Sequence, residues 1–405
     1  DDRQGTSTCS AAMIVVATAL MAIGLVMVAS TSASLDRPLI TSAFWRTLPG
    51  RQAIFVLIGF VAMVVTTRTA PRLLASPVAR RRVTIVVFTI VVVGLIAALI
   101  PSFASAHRGS QRWLRFAVGG IPLGVQPSEL AKPAMVAIVA LLLTERRADP
   151  RSLRQCLMPA SLAIALCVVL VGKEDFGTSV LLACVGGALL LVAGCRLRHL
   201  AVLATLGIGA LATLLYAAPY RVARLVAFRN LWDDPRGDGY QPVQSLTTIA
   251  SGGWLGTGLG SGVQKYGYLP ESHTDFIFAS ICEELGVFGA VFVIMMFCGL
   301  IWLGLRTMLT ARSRFERLLA FGLTATIGLQ AIMNIAVVTV VTPTTGISLP
   351  LISAGGSSLL TFCLATGVLA AIAVRSSSQS GDQEEAWALR ENSRMDRLRS
   401  GVGEW

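Results

Sequence analysis

The sequence predicts an all-α integral membrane protein. The expected form is a polytopic bundle of about ten transmembrane helices, with a large extracytoplasmic loop between spans seven and eight. Three observations predict it. Of 405 residues, 54% are hydrophobic and only 14% charged, where a soluble domain carries about a quarter charged residues. Mean hydropathy is +0.70. The apolar residues come in long runs without regular polar–apolar alternation, a pattern of helices and not of barrel strands.

The runs begin near Ala11, Ala53, Val83, Gln126, Cys156, Phe176, His199, Phe276, Leu318 and Ser357. The second and fifth are short. The first, Ala11 to Ser30, is too long for a signal-peptide core and lacks a basic leader, so it reads as a true span. Orientation follows from arginine and lysine in short loops. Basic clusters at Ala79–Arg82, Glu145–Arg154, Arg196–Arg198 and Arg312–Arg317 belong on the cytoplasmic side. Both termini then fall there too. Residues 1–375 form the membrane domain, 218–276 its large outer loop, and 376–405 a polar cytoplasmic tail that reads as a disordered end. The excess of 34 Lys+Arg over 22 Asp+Glu is spread over loops, so it reads as positive-inside bias and no nucleic-acid partner is expected. The eight cysteines lie in or beside apolar runs without metal-ligand spacing, which suits small buried hydrophobes. No nucleotide-binding loop is present. GTGLGSG (Gly256–Gly262) has no preceding strand, and its glycines read as turns and close backbone approach.

The densest polar cluster is SGVQKYGYLPESHTDFIFASICEELG, Ser261 to Gly286. Charge at the mouth of a span is costly to keep, which makes the cluster a candidate site. Asp275 stands where the long loop enters a span. Partial desolvation there raises a carboxylate's basicity toward that of a general base. A helix cap by Thr274 or Asp275 is an equal reading. His273 suits a base near neutral pH or an interfacial hydrogen bond. Glu271, placed by Pro270, is the third candidate. Glu283 and Glu284 cannot both share Asp275's direction, and at least one is expected to meet an internal polar partner. In QPSELAK, Glu129 and Lys132 share a helix face and can pair, as a structural ion pair or as the wall of a phosphate-binding cavity. Arg112 and Trp113 suit a sugar or phosphate, or an interfacial anchor. Asp175 reads as a helix cap. The Pro/Gly-rich interruption Thr342–Leu360 must be buried in protein or line a cavity, offering backbone amides and the hydroxyls of Ser353, Ser357 and Ser358.

QKYGYLPESHTDFIFASICEELG, QPSELAK, GSQRW, YQPVQS and PTTGISLPLISAGGSS occur together across the chain. In this combination the chain resembles the SEDS family (shape, elongation, division and sporulation; FtsW/RodA/SpoVE), and within it the division and sporulation types more than the elongation type. The departures are Thr345, where division-type members often carry lysine, and Ala354, where tyrosine is usual. The resemblance implies a membrane glycosyltransferase that polymerises lipid II by inverting transfer at the outer face of the cytoplasmic membrane. It implies a class B penicillin-binding protein, other division or elongation proteins and membrane lipid as partners. It assigns Asp275 as the catalytic aspartate. It places Arg112, Trp113, Gln126, Glu129, Lys132, Gln244, Ser245, Lys265, Glu271, His273, Ser353, Gly355, Gly356 and Ser357 around the substrate. No cofactor is required by this reading. A divalent cation, Mg²⁺ or Mn²⁺, is compatible with a pyrophosphate leaving group, but no metal-ligand set is visible. The rival readings are a lipid II flippase, whose acids should line mid-depth, and a non-catalytic division scaffold, which would not need Asp275.

Overall fold

The computed structural model describes residues 2–32, 47–100, 104–107, 110–118, 121–145, 157–237, 239–263 and 268–377. Three helices come first: α1 (Asp2–Ser32), α2 (Leu48–Ala75) and α3 (Pro77–Ala98). The last two are separated by one residue. The Thr47 and Ser76 hydroxyls accept from Gly50 and Ala79 amides at the two helix starts, each followed by proline. This is the local chemistry that starts helices.

A three-stranded antiparallel sheet follows: β1 (Ala104–His107), β2 (Ser110–Val118) and β3 (Ile121–Val125). It corrects the all-α expectation locally. The bundle itself stands. Next come α4 (Pro127–Leu142), α5 (Met158–Gly172), α6 (Phe176–Val192) and α7 (Leu197–Tyr216). The long loop is structured, with α8 (Pro219–Arg229) and α9 (Tyr240–Gly252). Then come α10 (Ile277–Thr310), α11 (Arg314–Val338) and α12 (Gly356–Ser377).

Seven helices are long and apolar enough to cross a membrane: α1, α2, α3, α7, α10, α11 and α12, with α5 and α6 apolar but shorter. α4 coincides with another expected run and carries a buried ion pair. By length and composition the described residues therefore give seven spans against about ten expected.

α11 is the mast of the bundle. It packs on α10, α4 and α6, while α4 also meets α3 and α5, and α10 meets α1 and α9. Core positions such as Met135, Leu181, Phe297, Leu323 and Phe362 are almost fully enclosed. The periphery is apolar and open, as at Leu57, Ile90 and Leu206, and α7 buries no residue at all. An apolar exterior of this kind suits hydrocarbon as solvent.

α10 is not one straight helix. Gly286 has φ 67° and ψ −166°, which breaks it into a short N-terminal half and a long second half. That backbone region is essentially reserved for glycine. The glycine-rich strap after α9 crosses the break. Thr257 and Gly258 amides donate to the carbonyls of Glu283 and Glu284, and Val287 donates to the Gly253 carbonyl. The strap is further held by the two acid side chains. The Val263 amide donates to Glu283 at 2.8 Å, and the Gly260 amide to Glu284 at 3.2 Å. Ser30 of α1 donates to Glu284 at 2.6 Å. Both carboxylates thus meet polar partners, although they are adjacent in sequence, because the helix stops two residues later.

Candidate active site

Asp275 lies one residue before the N-cap of α10 and is half-buried. A cap by the Thr274 hydroxyl is not what the structure shows. Phe276 occupies the N-cap without a side-chain bond, and the Thr274 hydroxyl turns back to Glu271 Oε2 at 2.7 Å. Glu271 has φ 59°, a left-handed conformation that costs a non-glycine residue about 1 kcal/mol or more. Among the described residues only Val340 and Leu351 share this feature, in the segment joining α11 to α12. Backbone strain is therefore concentrated in the two stretches that build this end of the bundle.

The second stretch, Thr342–Gly355, is clamped to the first by backbone and side-chain bonds. The Ala354 amide donates to the His273 carbonyl at 2.9 Å. The Ser353 hydroxyl donates to the Thr274 carbonyl at 2.7 Å and accepts from the Leu349 amide at 2.8 Å. Asn334 of α11 donates to the carbonyls of both Asp275 and Ile347, each at 2.7 Å. Gly346 sits against the carboxylate: a Cβ on it would lie 3.6 Å from Asp275 Oδ2, and its φ of +71° favours glycine. Further helices close on the same turn. Gly24 of α1 abuts the Ile352 backbone, and Gly177 of α6 abuts Thr345 and Ile347. From Ile347 to Ser353 the broken segment is mostly buried in protein, as non-helical backbone at membrane depth must be unless it lines a cavity, while Thr342 and Gly346 are exposed.

The ion pair in α4 forms as its spacing predicts. Lys132 Nζ lies 2.8 Å from Glu129 Oε2, with side-chain exposures of 1% and 8%. Lys132 also donates to Gln330 Oε1 at 2.7 Å and stands over the Phe362 ring. Gln330 in turn donates to the Ser348 carbonyl at 2.9 Å. Lys132 is thus engaged on all sides and closed to solvent.

The other expected residues separate into distinct settings. Ser357 donates to the Gly124 carbonyl at 3.0 Å and accepts from the Gln126 amide, tying α12 to β3 and α4. The Gln126 side chain donates to Ser128. Trp113 is half-buried and lies over Gly124. Gly355 and Gly356 begin α12, and Gly356 faces the Phe55 ring. Ser245 is fully buried and donates to the Val338 carbonyl, so it pins α9 to α11 and faces no open site. Gln244, Glu271 and His273 are half-buried. Lys265 and the tail from 378 lie outside the described residues, as does the side chain of Arg112 on β2. Asp175 caps α6 as expected, accepting from the Thr178 amide and hydroxyl. Among the described residues no group of three or more His, Cys, Asp or Glu converges as a metal-ligand set.

Gln330 and Asn334 were not among the expected site residues. Their signal was legible: two primary amides four residues apart inside an apolar run, hence on one helix face. The opposite end of the bundle is ionic instead. Arg375 meets buried Glu316 at 2.8 Å, Arg80 stacks on Phe315, and Arg81 pairs with Glu145.

Known proteins resemble this chain over nearly its whole length. A family model described as cell cycle protein, FtsW/RodA/SpoVE, matches residues 10–378. Stage V sporulation protein E of Bacillus subtilis (strain 168) is 35% identical over 365 residues, 88% of this chain and 94% of the relative. A probable peptidoglycan glycosyltransferase FtsW of Nitrosococcus halophilus is 39% identical over 367 residues, 87% of this chain and 89% of the relative. A chain solved under the heading of structural coordination of polymerization and crosslinking by a peptidoglycan synthase complex aligns with TM-score 0.68 at 25% identity, covering 90% of this chain and 97% of that one. The rod shape determining protein RodA of Thermus thermophilus shares the fold, with TM-score 0.61 at 23% identity over 90% of this chain and 95% of that one. The family model spans nearly the whole chain, and the chain belongs to the FtsW/RodA/SpoVE family of cell cycle proteins.

Proposed function

We propose that the protein is a peptidoglycan glycosyltransferase that polymerises lipid II, with Asp275 as general base. The observation that carries this is the setting of Asp275. It is half-buried, its backbone is fixed by Asn334, and its carboxylate lies against Gly346. The 4-hydroxyl of the GlcNAc of lipid II attacks the anomeric carbon of the growing strand's reducing-end MurNAc. The O4–C1 bond forms, the bond from C1 to the pyrophosphate oxygen breaks, and the hydroxyl proton passes to Asp275. Attack opposite the leaving group inverts the anomeric centre. General-base help of this kind contributes about 10²–10⁴-fold.

The leaving undecaprenyl pyrophosphate needs positive charge nearby. Lys132 is enclosed by Glu129, Gln330 and Phe362. The starts of α4 and α10 lie at the Asp275 end and carry no side-chain cap. The positive helix ends there suit an oxyanion. Trp113, Gln244, Glu271 and His273 are the half-buried side chains in reach of a sugar headgroup, and Arg112 and Lys265 complete the expected set. Glu129, Gln126, Ser353, Gly355, Gly356 and Ser357 build the wall behind it. No step is routed through a divalent cation.

The proposed topology has ten spans, with α4, α5 and α6 completing the seven longer ones. Both termini lie on the cytoplasmic side, where Arg80, Arg81, Arg314 and Arg375 gather, and Asp275 opens to the outer face of the cytoplasmic membrane. A class B penicillin-binding protein that crosslinks the strands is the proposed partner, within a division or elongation complex.

The test is Asp275→Asn in purified protein given lipid II, alone and with a transpeptidase. Glycan polymerisation should fall to background while the melting temperature holds. Strand synthesis at the normal rate would remove Asp275 from the chemistry.

A further inference from the structure

Between the buried ion pair of α4 and the half-buried Asp275 run two sets of amide hydrogen bonds, joined through the Ile347–Ser348 backbone. Gln330 and Asn334 stand one turn apart on α11, and both are 0% exposed. Gln330 accepts from Lys132 and donates to the Ser348 carbonyl. Asn334 spends both hydrogens of its amide, one on the Ile347 carbonyl and one on the Asp275 carbonyl. The two side chains therefore grip the 347–348 backbone and the Asp275 backbone together, from one rigid helix face. Gly346, next in line, is the residue whose backbone faces the Asp275 carboxylate.

Each bond in this ladder has a partner that a different side chain would leave stranded. Two carbonyls share the Asn334 donor, and an apolar replacement of the same size leaves both without it, in a place where buried polar groups demand partners. The N-cap residue of α10, Phe276, makes no side-chain cap bond. The segment holding Asp275 is fixed from other parts of the chain by Asn334, by Ser353 and by the Ala354 amide.

We propose that Asn334 is a positioning residue that fixes Asp275 against the 346–348 turn, and that Gln330 links the same turn to Lys132. This rests on the reading of Asp275 as the base. Lys132 then acts on the site through Gln330, not by touching the substrate. A displacement of about 1 Å in a reacting group can cost about 10²-fold in rate, so the loss should fall on turnover and leave substrate capture nearly intact.

Two variants test it, in full-length protein purified in detergent and assayed with lipid II. Asn334→Leu keeps the size and removes the donor. Gln330→Glu keeps the acceptor for Lys132 and removes the donor to Ser348. Expected for Asn334→Leu is a kcat lower by about 10- to 100-fold with KM within about threefold, and a smaller fall of the same kind for Gln330→Glu. Hydrogen–deuterium exchange should rise at residues 273–277 and 346–349 and not across the bundle. Unchanged kcat, or a loss carried mainly by KM, overturns the proposal. So does exchange that rises everywhere, which marks a residue of general stability. Should Asn334→Leu fail to fold, Gln330→Glu decides on the same readouts. Asp275→Asn run in parallel separates the two readings. If it still polymerises, the base assignment falls and the positioning role with it. If it is inactive while both amide variants keep wild-type kcat, only the positioning role falls.

Discussion

Replacing Lys132 with methionine strands a carboxylate, and the cost can be worked from its surroundings. The substitution removes the 2.8 Å ion pair to Glu129, the 2.7 Å bond to Gln330 and the cation over Phe362. Breaking a buried pair by deleting one partner costs about 3–5 kcal/mol, because the other charge stays behind. Glu129 is 6% exposed and, among the described residues, has no second cation within ion-pair distance. The lost Gln330 bond and ring contact add about 1–2 kcal/mol. In the double variant Glu129→Gln/Lys132→Met the stranded charge is gone, and all but the last 1–2 kcal/mol (about the Gln330 and ring terms) should return. The assay is the melting temperature in detergent of the wild type, both single variants and the double, at pH 7. The wild-type–variant gap is the readout. A Lys132→Met protein that melts with the wild type at pH 7, or a double variant no better than the single, would refute the reasoning.

The break in α10 and the strap over it make two sharper cases. Gly286→Ala places a Cβ on the Gly256 amide and the Trp254 carbonyl and forces alanine into a glycine-only conformation, so a loss of about 3 kcal/mol or more is expected in thermal unfolding. Glu284→Gln keeps the shape but removes the charge that Ser30 and the Gly260 amide bind. Limited proteolysis should cut the 253–263 strap several-fold faster while the helices stay protected, and unchanged cleavage would count against the latch.

Much of this was legible in the sequence, for physical reasons that name themselves. Asp175 was readable as a cap because Asp ahead of a helical run with Thr three residues on is capping chemistry. Glu129 and Lys132 were readable as a pair because three residues bring them to one helix face. Glu283 and Glu284 were readable as partnered because charges in an apolar run must find partners. What the pattern hid were features made by distant segments. In the sequence Gly119-Gly120 is a hairpin cue, but it lies between apolar runs whose helical pattern dominates. The turn at Gly286 looks like any glycine in a span until Trp254 and Gly256, about thirty residues earlier, are brought against it. Local spacing likewise could not show that Ser353 and Asn334, far along the chain, hold the Thr274 and Asp275 carbonyls.

The role of charge at the site changes with that geometry. From sequence, Lys132 was the natural cation for a phosphate, since it was the one lysine in a span beside polar residues. In the structure its 1% exposure puts it behind the wall, where moving it toward a ligand would abandon Glu129 and break the hold of Gln330 on Ser348. A cation so placed cannot follow a leaving group, yet it can keep Gln330 turned the right way. The groups able to meet negative charge are then ones that need no movement: the positive ends of α4 and α10, both at the Asp275 end. Fixed dipoles of this kind stabilise developing charge without reorganising when the bond breaks. A site that uses mobile donor and acceptor lipids has reason to keep everything else still. The strained turns at Glu271 and Leu351, the shared donor of Asn334 and the buried pair behind them are what that stillness costs in this fold.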